Sequence, residues 1–282
     1  MTLPELPEVE TIRQQLASKI IGATILGSTI HLGKVIKDPS PTAFADGIRG
    51  RRILSITRRG KYLIFGLTGG YNLVVHLKMT GQLVYENEGG PLPRHTHLVL
   101  HLDTGRLRLT DLRQFGRVWL LPSAETEKRS GINMLGPEPL APEFSEGDFI
   151  ARLKKSRRSL KPLLLDQKVV AGIGNIYADE ALYRAGLHPN RQAADLTTRE
   201  AKVLYRAVKE VLREGVSHRG TSIRNYVDAE GRRGTHQEFL KVHNRAGRPC
   251  LRCGTLIQKT KLGGRGTYFC PLCQAYKTSD KF

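Results

Sequence analysis

Acidic side chains are scarce in this chain, cysteine is missing from its first 249 residues, and long apolar runs are absent altogether. Each shortage excludes something. A bilayer-spanning helix needs roughly 20 consecutive apolar residues, and no stretch comes near that. The N-terminus has no basic segment followed by an apolar block, so no secretory signal is visible. A soluble cytoplasmic protein is expected. Only 26 Asp and Glu stand against 45 Lys and Arg, giving a net charge of +19. Such an excess favours polyanions, because each neutralised phosphate releases condensed counterions. A membrane-facing patch would concentrate its charge on one basic amphipathic helix. Here the charge is spread along the chain and densest at the end, where residues 241–282 hold nine Lys and Arg and one acid, Asp280. Nucleic acid is the expected partner, and composition does not separate DNA from RNA.

The four cysteines, Cys250, Cys253, Cys270 and Cys273, form two C-x2-C pairs separated by sixteen residues. Paired thiolates at this spacing suit tetrahedral zinc in a ribbon hairpin. Two disulfides are the alternative, disfavoured by a cytosolic setting, and a redox C-x-x-C does not account for two copies.

At 282 residues the chain is long enough for two domains and an appendage. Val9, Ile12, Leu16 and Ile20 recur on one face of a helix over 5–20, and Pro7 is tolerated in its first turn. Seven strand-like runs follow, at 23–31, 51–58, 61–67, 71–78, 97–102, 106–110 and 116–121. They predict a β-sandwich or a barrel. The Gly, Pro and Ser of 122–142 form a linker. Beyond it the period becomes helical, with helices expected at 147–155, 159–165, 175–185 and 198–215. Gly172-Ile173-Gly174-Asn175 ends on a good N-cap residue and could cradle a phosphate at a helix start. The polar, Gly-rich stretch 217–234 suits a mobile loop over a ligand.

Near the N-terminus the chain reads Pro4-Glu5-Leu6-Pro7-Glu8-Val9-Glu10. With "RRGKYL" (58–63), "HLKMTG" (76–81), "DLRQFG" (111–116), "LKPLLLDQ" (160–167), "GIGNIYADEAL" (172–182) and "GRGTYFCPLCQ" (264–274), it closely resembles the formamidopyrimidine-DNA glycosylases along nearly its whole length. The resemblance implies a multidomain α and β protein. Residues 1–130 would form an N-terminal helix and β-sandwich, 131–240 a helix–two-turn–helix domain with a lesion loop at about 217–234, and 241–282 a zinc ribbon. It further implies a bifunctional glycosylase and AP lyase of base excision repair, holding one structural zinc and no organic cofactor. The expected partner of this monomer is duplex DNA carrying oxidised purines or AP sites, in a bacterial cytoplasm and at the nucleoid.

The resemblance also implies roles. Pro4 matches the proline whose amine attacks the deoxyribose C1′. A secondary amine suits this step because its iminium is cationic without deprotonation and acts as an electron sink. Glu5 matches the general acid/base at the sugar, with Glu8 in support; by themselves, both carboxylates could serve only the helix dipole. Lys61 matches a lysine for phosphate contact and proton transfer in β-elimination, although alone it reads as an exposed strand-end lysine. Arg265 matches the phosphate clamp of δ-elimination, a task for a planar fork of donors; "GGRG" alone reads as a basic turn. Met79, Arg113 and Phe115 match the residues that fill the hole left by a flipped nucleotide; otherwise Met79 and Phe115 read as turn packing. Met79 and "PELPEVE" separate the chain from the pyrimidine-directed endonuclease VIII class, so the expected lesion is 8-oxoguanine or a formamidopyrimidine opposite cytosine. His95, Arg157, Lys161 and Asn175 match DNA contacts, and Glu180 is expected to buttress Asn175 or the active site. Thr221, Ser222, Ile223, Arg224, Asn225 and Tyr226 match the loop over the flipped base.

One departure bears on the chemistry. The family begins Met-Pro-Glu-Leu-Pro, whereas this chain begins Met1-Thr2-Leu3-Pro4, which leaves the Pro4 nitrogen in an amide. Initiation at the Leu3 codon, followed by methionine removal, would free it. A non-catalytic damaged-DNA-binding protein on the same scaffold is the alternative if Pro4 stays blocked. A zinc-ribbon transcription or RNA-binding factor explains the charge and cysteines but not the N-terminal motif.

Overall fold

The computed structural model describes residues 4–87, 89–223 and 225–276; Arg224 of the expected loop lies outside them. Chain contacts define two compact units, Met1–Met134 with Val216–Gln237, and Leu135–Gly215 with Glu238–Phe282.

In the first unit, helix α1 (Leu6–Ile20) buries Leu6, Val9, Ile12, Leu16 and Ile20 on one side, as the apolar period predicts. Its N-cap is Glu5, and proline occupies the first turn, where a missing N–H costs nothing. There follow β1 (Ile25–Ile30), β2 (Ile36–Asp38), α2 (Pro41–Ile48), β3 (Ile53–Arg59), β4 (Tyr62–Leu67), β5 (Tyr71–His76), β6 (Gly81–Glu86), β7 (Thr96–Leu102), β8 (Gly105–Asp111), β9 (Arg117–Pro122) and α3 (Thr126–Ser130). They build two separate sheets, of order β2-β9-β5-β4-β3 and β1-β7-β8-β6. The sandwich, not the barrel, is the outcome. Strand β4 alternates in burial along its length, and Leu73, Val75 and Val118 of one sheet face Leu83, Leu98, Leu100, Leu107 and Leu109 of the other.

The segment 216–237 follows the helical region in sequence but packs with this unit. Tyr226 and Ala229 lie in the same apolar cluster as Val9 and Ile12. Gln15 of α1 reads both Asp228 and the Ala229 N–H, each at 2.9 Å.

The second unit contains α4 (Glu146–Lys154), α5 (Leu160–Leu164), α6 (Asn175–Ala185), α7 (Thr198–Ser217), and the hairpin β10 (Gln258–Leu262) with β11 (Arg265–Phe269). Helix α6 is buried from Ile176 through Tyr183, the acids Asp179 and Glu180 included. Helix α7 shows the opposite pattern, a stripe of Ala201, Leu204, Ala207, Val208, Val211, Leu212 and Gly215 under a polar outer face. Gly215 is required by close approach: a Cβ there would lie 2.5 Å from the Tyr177 ring. No helix of the described residues is long and apolar enough to cross a membrane.

At the start of α7, Glu200 takes Arg191 bidentately at 2.5 and 2.8 Å and accepts the Thr197 N–H at 2.8 Å. Burial pushes this carboxyl up, but the guanidinium and the Thr197 donors outweigh it and hold the pKa at about 2. A depressed folded pKa contributes stability that is present above the ordinary carboxylate range and lost as pH falls towards 2. Glu200→Gln should therefore flatten the acid limb of the thermal midpoint between about pH 4.5 and 2. The solvent-screened effect expected at neutral pH is about 1–2 kcal/mol, and an acid limb identical to that of the parent would contradict it.

Candidate active site and nucleic-acid interface

The N-terminus of α1 holds two buried acids. Pro4 is buried, and Glu5 and Glu8 are each 1% exposed. One Glu8 oxygen accepts the Glu5 N–H at 2.8 Å, and the other accepts the Thr221 N–H at 2.7 Å. The Tyr226 hydroxyl donates to the Glu8 carbonyl at 3.3 Å. Glu8 thus joins the helix start to the base of the expected loop. Gly220 permits this in two ways: its φ is +77°, and a Cβ would come within 2.9 Å of the Glu8 carboxylate. Beyond it, Ser222 is fully buried, donating to the Tyr226 carbonyl and accepting the Gly234 N–H, both at 2.9 Å. Thr221, Ser222 and Tyr226 are buried anchors, while Ile223 is half-buried and Asn225 exposed.

Lys61 sits half-buried in the β3–β4 turn. Two residues with no role assigned from sequence hold that turn. Arg58 donates to the Gly60 carbonyl at 3.0 Å and, through Nε, to Glu10 of α1 at 3.0 Å. One guanidinium therefore ties the Lys61 turn to the helix that begins behind Pro4 and Glu5. His76 on β5 also drew no role from sequence. Its Nδ1 accepts the Lys78 N–H at 2.9 Å. Burial lowers its pKa well below the usual value, and the Lys78 and Lys61 ammonium groups lower it further. It stays a neutral imidazole near two cations.

Met79, Arg113 and Phe115 come together. The Arg113 Nη1 lies 3.0 Å from the Met79 sulfur, and its guanidinium carbon is 4.7 Å from the Phe115 ring centre. Phe115 is 42% exposed and its neighbour Leu112 is 58% exposed, so the cluster projects apolar surface. Asp111, fully buried, builds the turn by accepting the Arg113 N–H at 3.1 Å and the Gly116 N–H at 2.7 Å. It also accepts from Thr80. His95 is half-buried with φ at +67°, its carbonyl accepting the Asp111 N–H at 3.0 Å.

In the second unit, Arg157 and Arg265 are exposed, Arg265 opening β11 after Gly263 and Gly264. Asn175, the first residue of α6, donates to the Gly266 carbonyl at 3.0 Å. Lys161 is fully buried, with Nζ 2.6 Å from Asp179 and 2.7 Å from the same Gly266 carbonyl. That position commits its ammonium within the protein, at a residue matched from sequence to a DNA contact. Glu180 likewise buttresses a different element from Asn175, accepting the Lys241, Val242 and His243 N–H groups at 2.9, 3.0 and 2.8 Å. Burial raises its pKa, and these donors only partly pull it back.

The four cysteines converge, with Sγ–Sγ distances of 3.8 Å for Cys250–Cys273 and 3.5 Å for both Cys253–Cys270 and Cys253–Cys273. Four sulfurs around one tetrahedral ion at bonds of about 2.3 Å stand about 3.8 Å apart, whereas a disulfide needs about 2.05 Å. The geometry suits one metal ion and excludes the disulfide pairing. Tyr183 of α6 places its hydroxyl 3.3 Å from the Cys250 sulfur. Among the described residues this is the single cluster of three or more candidate metal ligands.

Comparison with known proteins agrees with this geometry. Residues 3–118 match the formamidopyrimidine-DNA glycosylase N-terminal domain, 135–227 its H2TH domain, and 247–275 a zinc finger found in FPG and IleRS. The formamidopyrimidine-DNA glycosylase of Pelotomaculum thermopropionicum is 49% identical over 276 residues, 98% of this chain and all of that one. A Lactococcus lactis Fpg solved with DNA containing an abasic site superposes with a TM-score of 0.91 at 36% identity, over 96% of this chain and all of that one. A variant of the same L. lactis protein, solved with Fapy-dG-containing DNA, gives 0.91 at 37% identity, over 97% of this chain and all of that one. The chain belongs to the formamidopyrimidine-DNA glycosylase family.

Proposed function

We propose that this protein excises oxidised purines, 8-oxoguanine and formamidopyrimidines, from duplex DNA and then nicks the abasic strand by β,δ-elimination. The observation that carries the reading is the buried Glu5–Glu8 pair behind Pro4, on the same unit as the Met79–Arg113–Phe115 cluster. The Pro4 nitrogen, once free, attacks C1′ as the C1′–N bond to the flipped base breaks, and the base leaves with its electron pair. The amine gives up its proton and the C1′–O4′ bond opens as Glu5 protonates O4′, leaving an iminium between C1′ and Pro4. Removal of a C2′ proton sends that C–H pair into the iminium as an enamine, which then expels the 3′-phosphate with its bonding electrons. Glu5 manages protons at the sugar, Glu8 keeps the helix start and loop base in register, and Lys61 contacts phosphate and assists β-elimination. Arg265 clamps the flanking phosphate and assists the second elimination. His95, Arg157 and Asn175 add DNA contacts, and the 221–226 segment reads the extruded base.

The four thiolates hold one zinc ion, whose contribution is folding energy for the ribbon. The protein works as a monomer on nucleoid DNA in the cytoplasm, without an organic cofactor. Borohydride reduction during turnover on an 8-oxoguanine·cytosine duplex tests the reading. A covalent protein–DNA adduct is expected; tight binding with no adduct would instead make the chain a damage-binding module.

Arg113 is assigned to the widowed base opposite the lesion. Arg113→Ala should reduce the preference for cytosine over adenine there by about tenfold, within the roughly 1–3 kcal/mol of a bidentate base contact. An unaltered opposite-base profile would remove Arg113 from that role.

A further inference from the structure

We infer that Lys161, with Asp179, is a positioning pair for Arg265, fixing the backbone of β11 one residue beyond the clamp. The inference rests on the reading of Arg265 given above. Its basis is a convergence of donors on one carbonyl. Lys161 Nζ and Asn175 Nδ2 reach the Gly266 oxygen at 2.7 and 3.0 Å, and Gly266 follows Arg265 directly.

A buried ammonium is costly unless its charge and its donors are all satisfied. Lys161 has an opposite charge beside it: its side chain and that of Asp179 are both 0% exposed, and their charges stand 2.6 Å apart. The second Asp179 oxygen lies 2.8 Å from His243 Nδ1. The His243 ring meets Tyr268 edge-on, with centroids 4.9 Å apart. Strand β11 is thus gripped at Gly266 by the lysine and contacted at Tyr268 through the histidine, both leading back to Asp179 on α6. Beneath the turn, Pro162 of α5 lies 3.5 Å from where a Gly263 side chain would begin. An arginine clamp on a two-stranded hairpin needs such a seat, since exposed hairpins are only marginally ordered by themselves.

The test uses the full chain processed to Pro4 and loaded with zinc, on a duplex with one AP site. Three variants are made: Lys161→Met, Arg265→Ala and their combination. The readout is the split between the β-elimination product and the β,δ product, which loss of global stability does not shift. Lys161→Met should move that split towards β by at least about fivefold, with zinc content unchanged. In the Arg265→Ala background the same substitution should change it by less than about twofold, because the group being positioned is gone. Equal effects in both backgrounds would overturn the inference while leaving the clamp intact. An Arg265→Ala protein with the parent's product split would overturn the clamp reading itself, and this inference with it. Should Lys161→Met lose zinc, Lys161→Met/Asp179→Asn removes both charges together. Zinc loss there too would assign the pair to ribbon folding and overturn a positioning role.

Discussion

Protein whose first residue is Pro4 should cross-link to abasic DNA under borohydride, whereas the same chain carrying Met1, Thr2 and Leu3 should not. The difference expected in strand nicking is at least about a thousandfold, the scale of removing a covalent nucleophile. The physical reason is the nitrogen lone pair. In a Leu3–Pro4 amide it is delocalised into the carbonyl and cannot form the iminium. Freed, it is a secondary amine lying beside Glu5, whose own N–H is already committed to Glu8 at 2.8 Å. Binding should respond far less than chemistry, because the Met79–Arg113–Phe115 cluster does not include the terminus. Gel-shift affinities within about fivefold of each other, beside nicking rates that differ as stated, are the expected pair of results. Equal nicking by the extended chain, with Met1 to Leu3 verified by intact mass, would refute the proline route.

Much of this architecture is legible in the chain, for identifiable reasons. The α1 stripe and the alternation of β4 reflect burial on one side, and one-sided burial leaves a period in sequence. Four elements escaped, one of them α3, five residues inside the stretch expected as a linker. Strand β6 starts at Gly81, directly after Thr80, where the letters read as a turn. Helix α2 is eight residues long and buries only Phe44 and Ile48, too few for a period. Strand β2 is three residues paired in parallel with β9, and such a pairing leaves no local trace.

The cysteines were legible because their ligand spacing is local to a motif, and Pro4-Glu5 and Lys61 were singled out by motifs of the same local kind. The site was illegible where a residue acts through a distant partner. Lys161 in "LKPLLL" gives no local sign of its partner Asp179, eighteen positions on. The acids of α6 did carry a signal, since Asp179 and Glu180 interrupt a helix otherwise buried in apolar contact. Charges in such a place must have partners. Segment 216–237 reads two ways: the H2TH match runs on to residue 227, as adjacency to α7 suggests, whereas Tyr226 and Ala229 pack in the core of the sandwich unit.

Removing the metal should separate the two units functionally. With Cys250→Ser, or a chelator strong enough to strip the ribbon, DNA affinity should fall by about a hundredfold and nicking should drop to background. Structural zinc of this type binds with about 10–16 kcal/mol of apparent free energy, which is folding free energy for a segment this small. The apolar support here is slight. The ribbon cluster holds Tyr183, Val242, Cys250, Ile257 and Cys270 as its buried members, two of them ligands. Without the ion, the Gly266 carbonyl has no fixed place, so Lys161, Asn175 and Arg265 lose their common geometry. The first unit should be indifferent, and the chain carries its own reporter of that. Its single tryptophan, Trp119, lies on β9 at 7% exposure, packed near Tyr62. Trp119 emission should therefore hold steady while zinc, affinity and nicking are lost together. Nicking that persists after zinc is demonstrably gone would mean that the ribbon needs no metal to present Arg265. A shift in Trp119 emission would mean that the sandwich, too, depends on the ion.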